Sequence, residues 1–348
     1  MEKKNIFDFS LEKLTTEFVN LGQTKFRSKQ LFSWIYKKNV YDFSLMTDVS
    51  LSFREYLNEN YSFYWPSIYK KQISSDGTIK LLLEMKDGAK VETVLMKYNY
   101  GNVICVSSQV GCNMGCAFCA SGLLKKERNL STGEMLAQLL TVNSLLENEK
   151  VTHVVVMGTG EPFDNYENVL DFIRICNHVC GLEIGARHIT VSTCGLVDGI
   201  RAYGKEGLQI NLAISLHAPN DEIRNKLMPI SRKYCMDELM KAIKEYEENA
   251  NRRVTFEYIL LKGLNDSDEC AYELIRLIKK YDIFAYVNLI PYNEVKEKRF
   301  KRSSNERIKE FSTILNKNGV NTTIRKEFGS DIDAACGQLR AKVVLGEK

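Results

Sequence analysis

From about Asn102 onward the chain alternates short β-branched apolar runs with longer segments in which apolar residues recur every three or four positions. The runs fall at Val103 to Ser107, Val151 to Met157, His188 to Ser192, Gln209 to Ser215, Arg253 to Leu260 and Tyr286 to Ile290, each followed by a helix-like or loop segment. Strands that return after helical crossovers run parallel, so these six units predict an α/β fold, a partial (β/α)6 barrel with too few strands to close an eight-stranded one. Helix starts are marked locally. Ser131-Thr132-Gly133-Glu134 forms a capping box ahead of Met135 to Leu146, and Asp266 likewise precedes the run containing Tyr272, Leu274, Ile275, Leu277 and Ile278.

Residues before this alternation read differently. Short helical segments such as Lys29 to Lys38 come first, and then Lys80 to Met85 and Val91 to Met96 flank Lys86-Asp87-Gly88 as a hairpin. The pattern predicts a small N-terminal accessory domain over 1–95, a core over 96–329 and a C-terminal segment over 330–348.

At 348 residues and 44% hydrophobic composition the chain can bury a full core. Its opening, MEKKNIFDFSLEKL, has no apolar stretch of signal-peptide length, and no later segment approaches a membrane span. A soluble cytoplasmic protein without a membrane partner is expected. Ten cysteines in that compartment are not a disulfide framework, because thiols stay reduced there and their spacing is scattered. The formal charge of +4 permits nucleic-acid binding without requiring it.

In parallel α/β architectures ligands sit beyond the carboxyl ends of the strands, where the chemically suggestive motifs also fall. After the first run comes Cys112-Asn-Met-Gly-Cys116-Ala-Phe-Cys119. Three thiolates leave a four-iron cluster one ligand short, so one iron is open to a reactive ligand. The CxxxCxxC spacing matches the radical S-adenosylmethionine signature, which implies a [4Fe-4S] cluster whose open iron chelates the cofactor. The alternative is a structural zinc site, which takes four ligands in paired CxxC-like groups, and no second pair follows.

Gly158-Thr159-Gly160-Glu161 ends the second run in a glycine-rich turn, where backbone can approach a ligand and the carboxylate can accept from an ammonium. Ser192 and Ser215-Leu216-His217 end the third and fourth runs, with hydroxyl and imidazole groups suited to a carboxylate or ribose, although His217 is equally readable as a core histidine. Cys176 and Cys180, four apart with His178 between them, read as one face of a helix and as buried apolar thiols rather than a second metal site. Cys105 and Cys336 read, on their own, as a core thiol and a tail thiol.

The resemblance that joins these features is to the RlmN family of dual-specificity rRNA and tRNA adenine-C2 methyltransferases. It is carried by Val91-Glu92-Thr93-Val94, Cys105 through Cys112, Met157 to Pro162 with Asp164-Asn165-Tyr166, Ser215-Leu216-His217, Leu227-Met228-Pro229-Ile230, Val287 to Asn293 and Asp331 to Leu339. It spans nearly the whole chain, including Phe26 to Leu31 and Trp34 to Tyr36. The resemblance implies that Cys112, Cys116 and Cys119 ligate the cluster, and that Gly160, Glu161, Ser192, Ser215, Leu216, His217 and Asn293 bind S-adenosylmethionine. It further implies that Cys336 carries a methyl group, that Glu92 accepts a proton, and that Cys105 resolves a covalent RNA adduct by forming a disulfide with Cys336.

Two molecules of S-adenosylmethionine per turnover, 23S rRNA and tRNA substrates, an electron donor such as flavodoxin and a monomeric enzyme are implied with them. The expected targets are adenine 2503 of 23S rRNA and adenine 37 of tRNAs. Glu161 to Tyr166 favours the C2 enzyme over the Cfr-type relative that modifies C8. For RNA engagement, Lys25, Arg27, Lys29, Lys37 and Lys38 interleave with Phe26, Phe32, Trp34 and Tyr36, and a second basic run covers Lys296, Lys298, Arg299, Lys301 and Arg302. Solvated charged faces and core aromatics are the plain alternative. A zinc-stabilised, non-catalytic RNA-binding protein is the rival from another class.

Overall fold

A computed structural model describes residues 2–329, 331–332, 338–344 and 346. One ten-stranded sheet organises them. Its strands are β1 (Ser67–Ile73), β2 (Ile79–Glu84), β3 (Lys90–Tyr98), β4 (Gly101–Cys105), β5 (Val151–Val156), β6 (Ile189–Thr193), β7 (Asn211–Ser215), β8 (Val254–Leu260), β9 (Ala285–Pro291) and β10 (Thr322–Ile324). They lie side by side in chain order. Strands β4 through β10 are all parallel, whereas β1, β2, β3 and β4 pair antiparallel as a meander.

The parallel half is the expected α/β barrel segment with one strand more, the short β10, whose Thr322 to Ile324 are too few and too polar to read as a run. The expected boundary at residue 95 falls inside β3, and the hairpin of the amino-terminal part is continuous with the core sheet.

Helical crossovers cover the parallel strands: α4 (Thr132–Ser144), α5 (Tyr166–Asn177), α6 (Val197–Gly204), α7 (Asp221–Leu227), α8 (Met236–Ala250), α9 (Asp268–Lys280) and α10 (Asn305–Lys317), with α11 (Gln338–Val344) near the carboxyl end. The capping box at α4 is present, with the Ser131 hydroxyl accepting from Glu134 N and the Glu134 carboxylate accepting from Ser131 N. At α9 the cap is Ser267, not Asp266. Asp266 instead accepts from Gly263 N and from the Ser303 hydroxyl, because a residue one position early faces back into the preceding loop. Helix α5 ends at Asn177, so Cys180 lies past its end rather than on one face with Cys176, and its N–H donates to His178 Nδ1.

Ahead of the sheet, α1 (Leu11–Asn20), α2 (Lys25–Tyr36) and α3 (Leu51–Asn60) enclose an aromatic core in which Phe18 meets Phe53 edge-on at 5.1 Å and Phe32 meets Tyr36 at 4.6 Å. This unit docks on the start of α4, where Gly133 N donates to Asp8 Oδ1 at 2.8 Å. A β-carbon at Gly133 would stand 2.3 Å from the Asn5 amide and 2.7 Å from that carboxylate, so only glycine permits the contact.

Candidate functional site at the carboxyl rim of the sheet

Strand β4 delivers the chain to the rim and stops early. Past Cys105, Val106 N still donates to Val155 O, but Ser107 N and O are both taken by the side-chain amide of the fully buried Gln138 on α4, at 2.9 and 3.0 Å. That amide replaces a neighbouring strand and frees the chain to turn into the cysteine loop. Gln109–Val110 pairs antiparallel with Arg128–Asn129 and closes the loop at its base. Within it Cys112 N donates to Leu124 O, Cys119 N to Cys116 O, and Ala117 N reaches across to Leu227 O at 2.8 Å. Gly111, at φ +78°, packs so close that a β-carbon would fall 2.0 Å from Lys125 O.

The loop forms one wall of a cleft of about 780 Å³ at the carboxyl ends of the parallel strands. Cys112, Cys116 and Cys119 line it together with Gly160, Glu161, Ser192, Ser215, His217 and Asn293. The expected cluster ligands and all but one of the expected cofactor-binding residues therefore share one cavity. Leu216 is the exception. Its side chain is fully buried in the core, and what it offers is backbone, with its N–H donating to Glu257 O and its carbonyl accepting from Arg224 Nε.

The glycine-rich turn approaches protein rather than open space. Thr159 N donates to the Ser107 hydroxyl, Thr159 O accepts from Ser108 N and Gln109 N, and β-carbons at Gly158 or Gly160 would sit 2.6–2.8 Å from Ser107 to Gln109. The turn is thereby locked against the segment that feeds the cysteine loop. Glu161 is buried, and its carboxylate accepts from Phe163 N at 3.0 Å and Cys194 N at 2.7 Å. Burial still raises its proton affinity, with those N–H groups pulling the other way.

His217 has the positive φ of +57°. Its Nδ1 accepts from Ile259 N at 3.1 Å and its ring meets Phe118 edge-on at 4.9 Å. Burial, with the nearby Arg224 charge, lowers its pKa to about 3. The imidazole is therefore neutral, and with Nδ1 occupied its proton sits on Nε2 as a donor.

On the sheet's cavity-side face, Cys105 stands opposite Val94, which in turn stands opposite Lys80. Strand alternation puts Glu92 on the same face, two residues before Val94. Lys80 Nζ lies 3.0 Å from Glu92 Oε2 with both side chains shut off from water, and Glu92 Oε1 accepts from Arg340 N on α11. Cys336 lies outside the described residues, but Arg340 shortly after it touches Glu92. No disulfide joins the described cysteines to one another.

Several residues of the site were missed in the sequence. Glu257 lines the cleft, buried, with its carboxylate accepting from the Asn288 amide at 2.9 and 3.2 Å and its proton affinity raised by burial. A carboxylate inside the apolar run Val254-Thr-Phe-Glu-Tyr-Ile-Leu260 was the available signal, as was Lys80 inside Ile79-Lys-Leu-Leu-Leu-Glu84. The aromatics proposed to stack on RNA divide: Phe32 and Tyr36 belong to the α2 core, Phe26 is exposed, and half-buried Trp34 lies under Lys38 Nζ at 3.3 Å. In the second basic run Arg302 pairs with Glu327 and Lys301 with Glu294.

A group of cysteines able to hold a cofactor must offer thiolates. As thiols, Cys112 is pushed up to about 11 by burial and Cys116 higher still, so only a bound cation would keep them ionised. Among the described residues no three His, Cys, Asp or Glu side chains close on a single metal ion. The three thiols instead ring one side of the cleft, a donor set suited to a cluster.

The Radical SAM superfamily model matches residues 106–275, which include the cysteine loop and the rim as far as β8, and the superfamily implies S-adenosylmethionine and a [4Fe-4S] cluster. The fold and site are those of a radical S-adenosylmethionine protein. The ribosomal RNA large subunit methyltransferase N-terminal domain model matches residues 4–62. The chain is 53% identical over 340 residues to the "Probable dual-specificity RNA methyltransferase RlmN" of Spiroplasma citri, covering 97% of each. It is 51% identical to the protein so described from Enterococcus faecalis, covering 100% of this chain and 99% of that one. A crystal structure of a radical SAM methyltransferase from Sphaerobacter thermophilus superposes with a TM-score of 0.89 at 42% identity, covering 97% of this chain and 99% of that one. The chain belongs to the RlmN family.

Proposed function

We propose that the chain methylates C2 of adenine, at adenine 2503 of 23S rRNA and adenine 37 of a subset of tRNAs, through an S-methylcysteine on Cys336 and a covalent RNA–protein adduct. C2, flanked by two ring nitrogens, is a poor nucleophile, so direct methyl displacement does not serve and a radical route is required. When bound, the cluster and S-adenosylmethionine supply the methyl group and a 5'-deoxyadenosyl radical.

The chain's own residues do the rest. Cys112, Cys116 and Cys119 hold the cluster. Gly160, Ser192, Ser215 and Asn293 form the cofactor's bed, with Leu216 supporting it from the core, Glu161 receives its ammonium, and His217 donates from Nε2. Cys336 accepts the methyl group as a thiolate. Glu92 removes the C2 proton from the adduct as general base, and the Cys105 thiolate attacks the sulfur of Cys336, so that the S–S bond forms as the S–CH2 bond breaks, the bond pair passes to that carbon, and a proton completes the methyl group of the released RNA. A one-electron donor of the flavodoxin type serves the cluster.

The observation that carries this reading is the Glu92 bridge. One carboxylate oxygen meets Lys80 and the other meets α11, on the face that also bears Cys105 and borders the cysteine-lined cleft. The contact of α11 with Glu92, on the face that bears Cys105, supports giving these residues a shared task.

Mass spectrometry of nucleosides from cells with and without the protein tests the proposal. 2-Methyladenosine is expected, 8-methyladenosine would assign the C8 reaction instead, and no change would leave a binding protein. Cys105→Ala should accumulate an RNA–protein adduct and Cys336→Ala none. Equal adduct in both variants refutes the thiol roles. A brown anaerobic preparation containing iron and sulfide is expected, and a colourless one with stoichiometric zinc argues against the enzyme.

A further inference from the structure

Arg224 on α7 is fully buried, yet among the described residues it forms no ion pair with a carboxylate. Its Nη2 donates to Cys194 O at 2.7 Å and to Ser215 O at 3.5 Å, and its Nε donates to Leu216 O at 3.3 Å. Its Nη1 is buried without a hydrogen-bond partner among the described residues. Asp221, the carboxylate that acts on it from one turn earlier, is engaged by Met236 N at 2.7 Å instead. Carbonyl dipoles offset part of the cost of burying a guanidinium, but such a charge persists in a protein interior only where an anion compensates it.

The position is built for the cation. Gly195, at φ +104°, carries no β-carbon, and one there would stand 3.0 Å from Nη2. The guanidinium does not line the cleft, so it does not touch a ligand bound there. What it does adjoin is the back of the cysteine loop. Cys194, Leu227 and Met228 form a buried apolar packet against which Cys116, Met114 and Phe118 pack, and Ala117 N is tied to Leu227 O. Arg224 sits on the same helix as Leu227, whose carbonyl holds Ala117 N, beside the packet against which Cys116 packs.

We infer that Arg224 is the counter-charge of the cluster held by Cys112, Cys116 and Cys119, and that its field raises the cluster's reduction potential. The inference rests on the reading of those cysteines as cluster ligands. A cluster on three thiolates is a net anion, and taking one electron from an external low-potential reductant adds one negative charge without breaking a bond. A cation fixed behind one thiolate stabilises the reduced form more than the oxidised one, and net charge and burial are the levers that set such potentials. Because Arg224 acts through the cluster, it is a tuning residue rather than a catalytic one.

The test is an EPR-monitored redox titration of anaerobically reconstituted full-length protein without S-adenosylmethionine, with dithionite as reductant. Iron and sulfide analysis of the parent decides separately whether a cluster is held at all. Arg224→Gln should lower the reduced-to-oxidised ratio at fixed potential at least tenfold, a shift of 59 mV to lower potential for one electron. Arg224→Lys, which keeps the charge, should stay within a twofold change.

A Gln variant that loads its cluster at an unchanged ratio overturns the inference. If the Gln variant does not load, the Lys variant decides, and a tenfold loss there overturns it. Loss of cluster or of fold in both variants also overturns it, because lysine supplies the charge and the guanidinium would then be a structural tie.

Discussion

On the antiparallel flank of the sheet, Lys80 and Glu92 meet across β2 and β3 at 3.0 Å with both side chains shut off from water. On the parallel flank, Glu161, Glu257 and His217 are just as buried but are held by the N–H groups of Phe163 and Cys194, the Asn288 amide and the N–H of Ile259. An ion pair in a dry site gives each partner a counter-charge at a fixed distance. Backbone and amide dipoles satisfy geometry without cancelling charge, so burial pushes the two carboxyls up and the imidazole down. The first arrangement holds the Glu92 carboxylate in place through both of its oxygens. The second leaves carboxylates, Glu257 with Arg325 nearby, whose charge a cationic ligand such as the ammonium and sulfonium of the proposed cofactor would offset.

Breaking the pair should have the largest effect. Lys80→Met strands Glu92 in a water-free site and is expected to cost about 3–5 kcal/mol, whereas Lys80→Met with Glu92→Leu should recover much of it. Urea denaturation of the single and double variants measures this, and equal losses in both would mean that the two charges are not coupled.

The next effect is confined to acid. His217 stays neutral in the fold down to about pH 3 while an unfolded histidine charges near 6.5, so its contribution is complete above pH 6.5 and is lost as pH falls through that window. Between pH 7 and pH 5 the parent should lose about 2 kcal/mol from this group. His217→Gln should remove that component, seen as a smaller drop in denaturation midpoint over the same interval.

Glu257 works with the opposite sign. Its affinity for a proton is raised, so the stability it contributes is present below about pH 4.5 and declines as pH rises toward its folded value. Glu257→Gln should flatten this decline by about 1 kcal/mol per pH unit, with the nearby Arg325 offsetting part of it. A parent and variant with parallel pH–stability curves would show that the Asn288 amide already suffices to hold the ionised form.

The smallest change lies outside both flanks. Lys38→Ala removes an exposed ammonium from over Trp34 and should leave the denaturation midpoint within error, which sets the baseline for the four variants above.

Local signals made much of the fold and site readable. β-branched runs marked strands β4 to β9 because a strand buried on both faces must be apolar along its length. Ser131 and Glu134 marked the start of α4 because capping involves only neighbours in the chain. The same locality explains the misses. Asp266 and Ser267 are adjacent and chemically similar, so only backbone geometry selected the cap. Phe32 and Tyr36 were indistinguishable in sequence from exposed aromatics until packing set Phe32 against His178 and Tyr36 against Phe7.

By itself the sequence determined the strand and helix periodicity, the three-cysteine loop and the rim motifs, because each is written in residues close together in the chain. Only the tertiary structure decided that Lys80 neutralises Glu92 and that Gln138 ends β4. Tertiary packing alone likewise decided that Arg224 lies behind the cysteine loop with no carboxylate paired to it among the described residues. Those relations join residues far apart along the polypeptide, and the desolvation that gives them their energy does not exist until the sheet and helices exclude water.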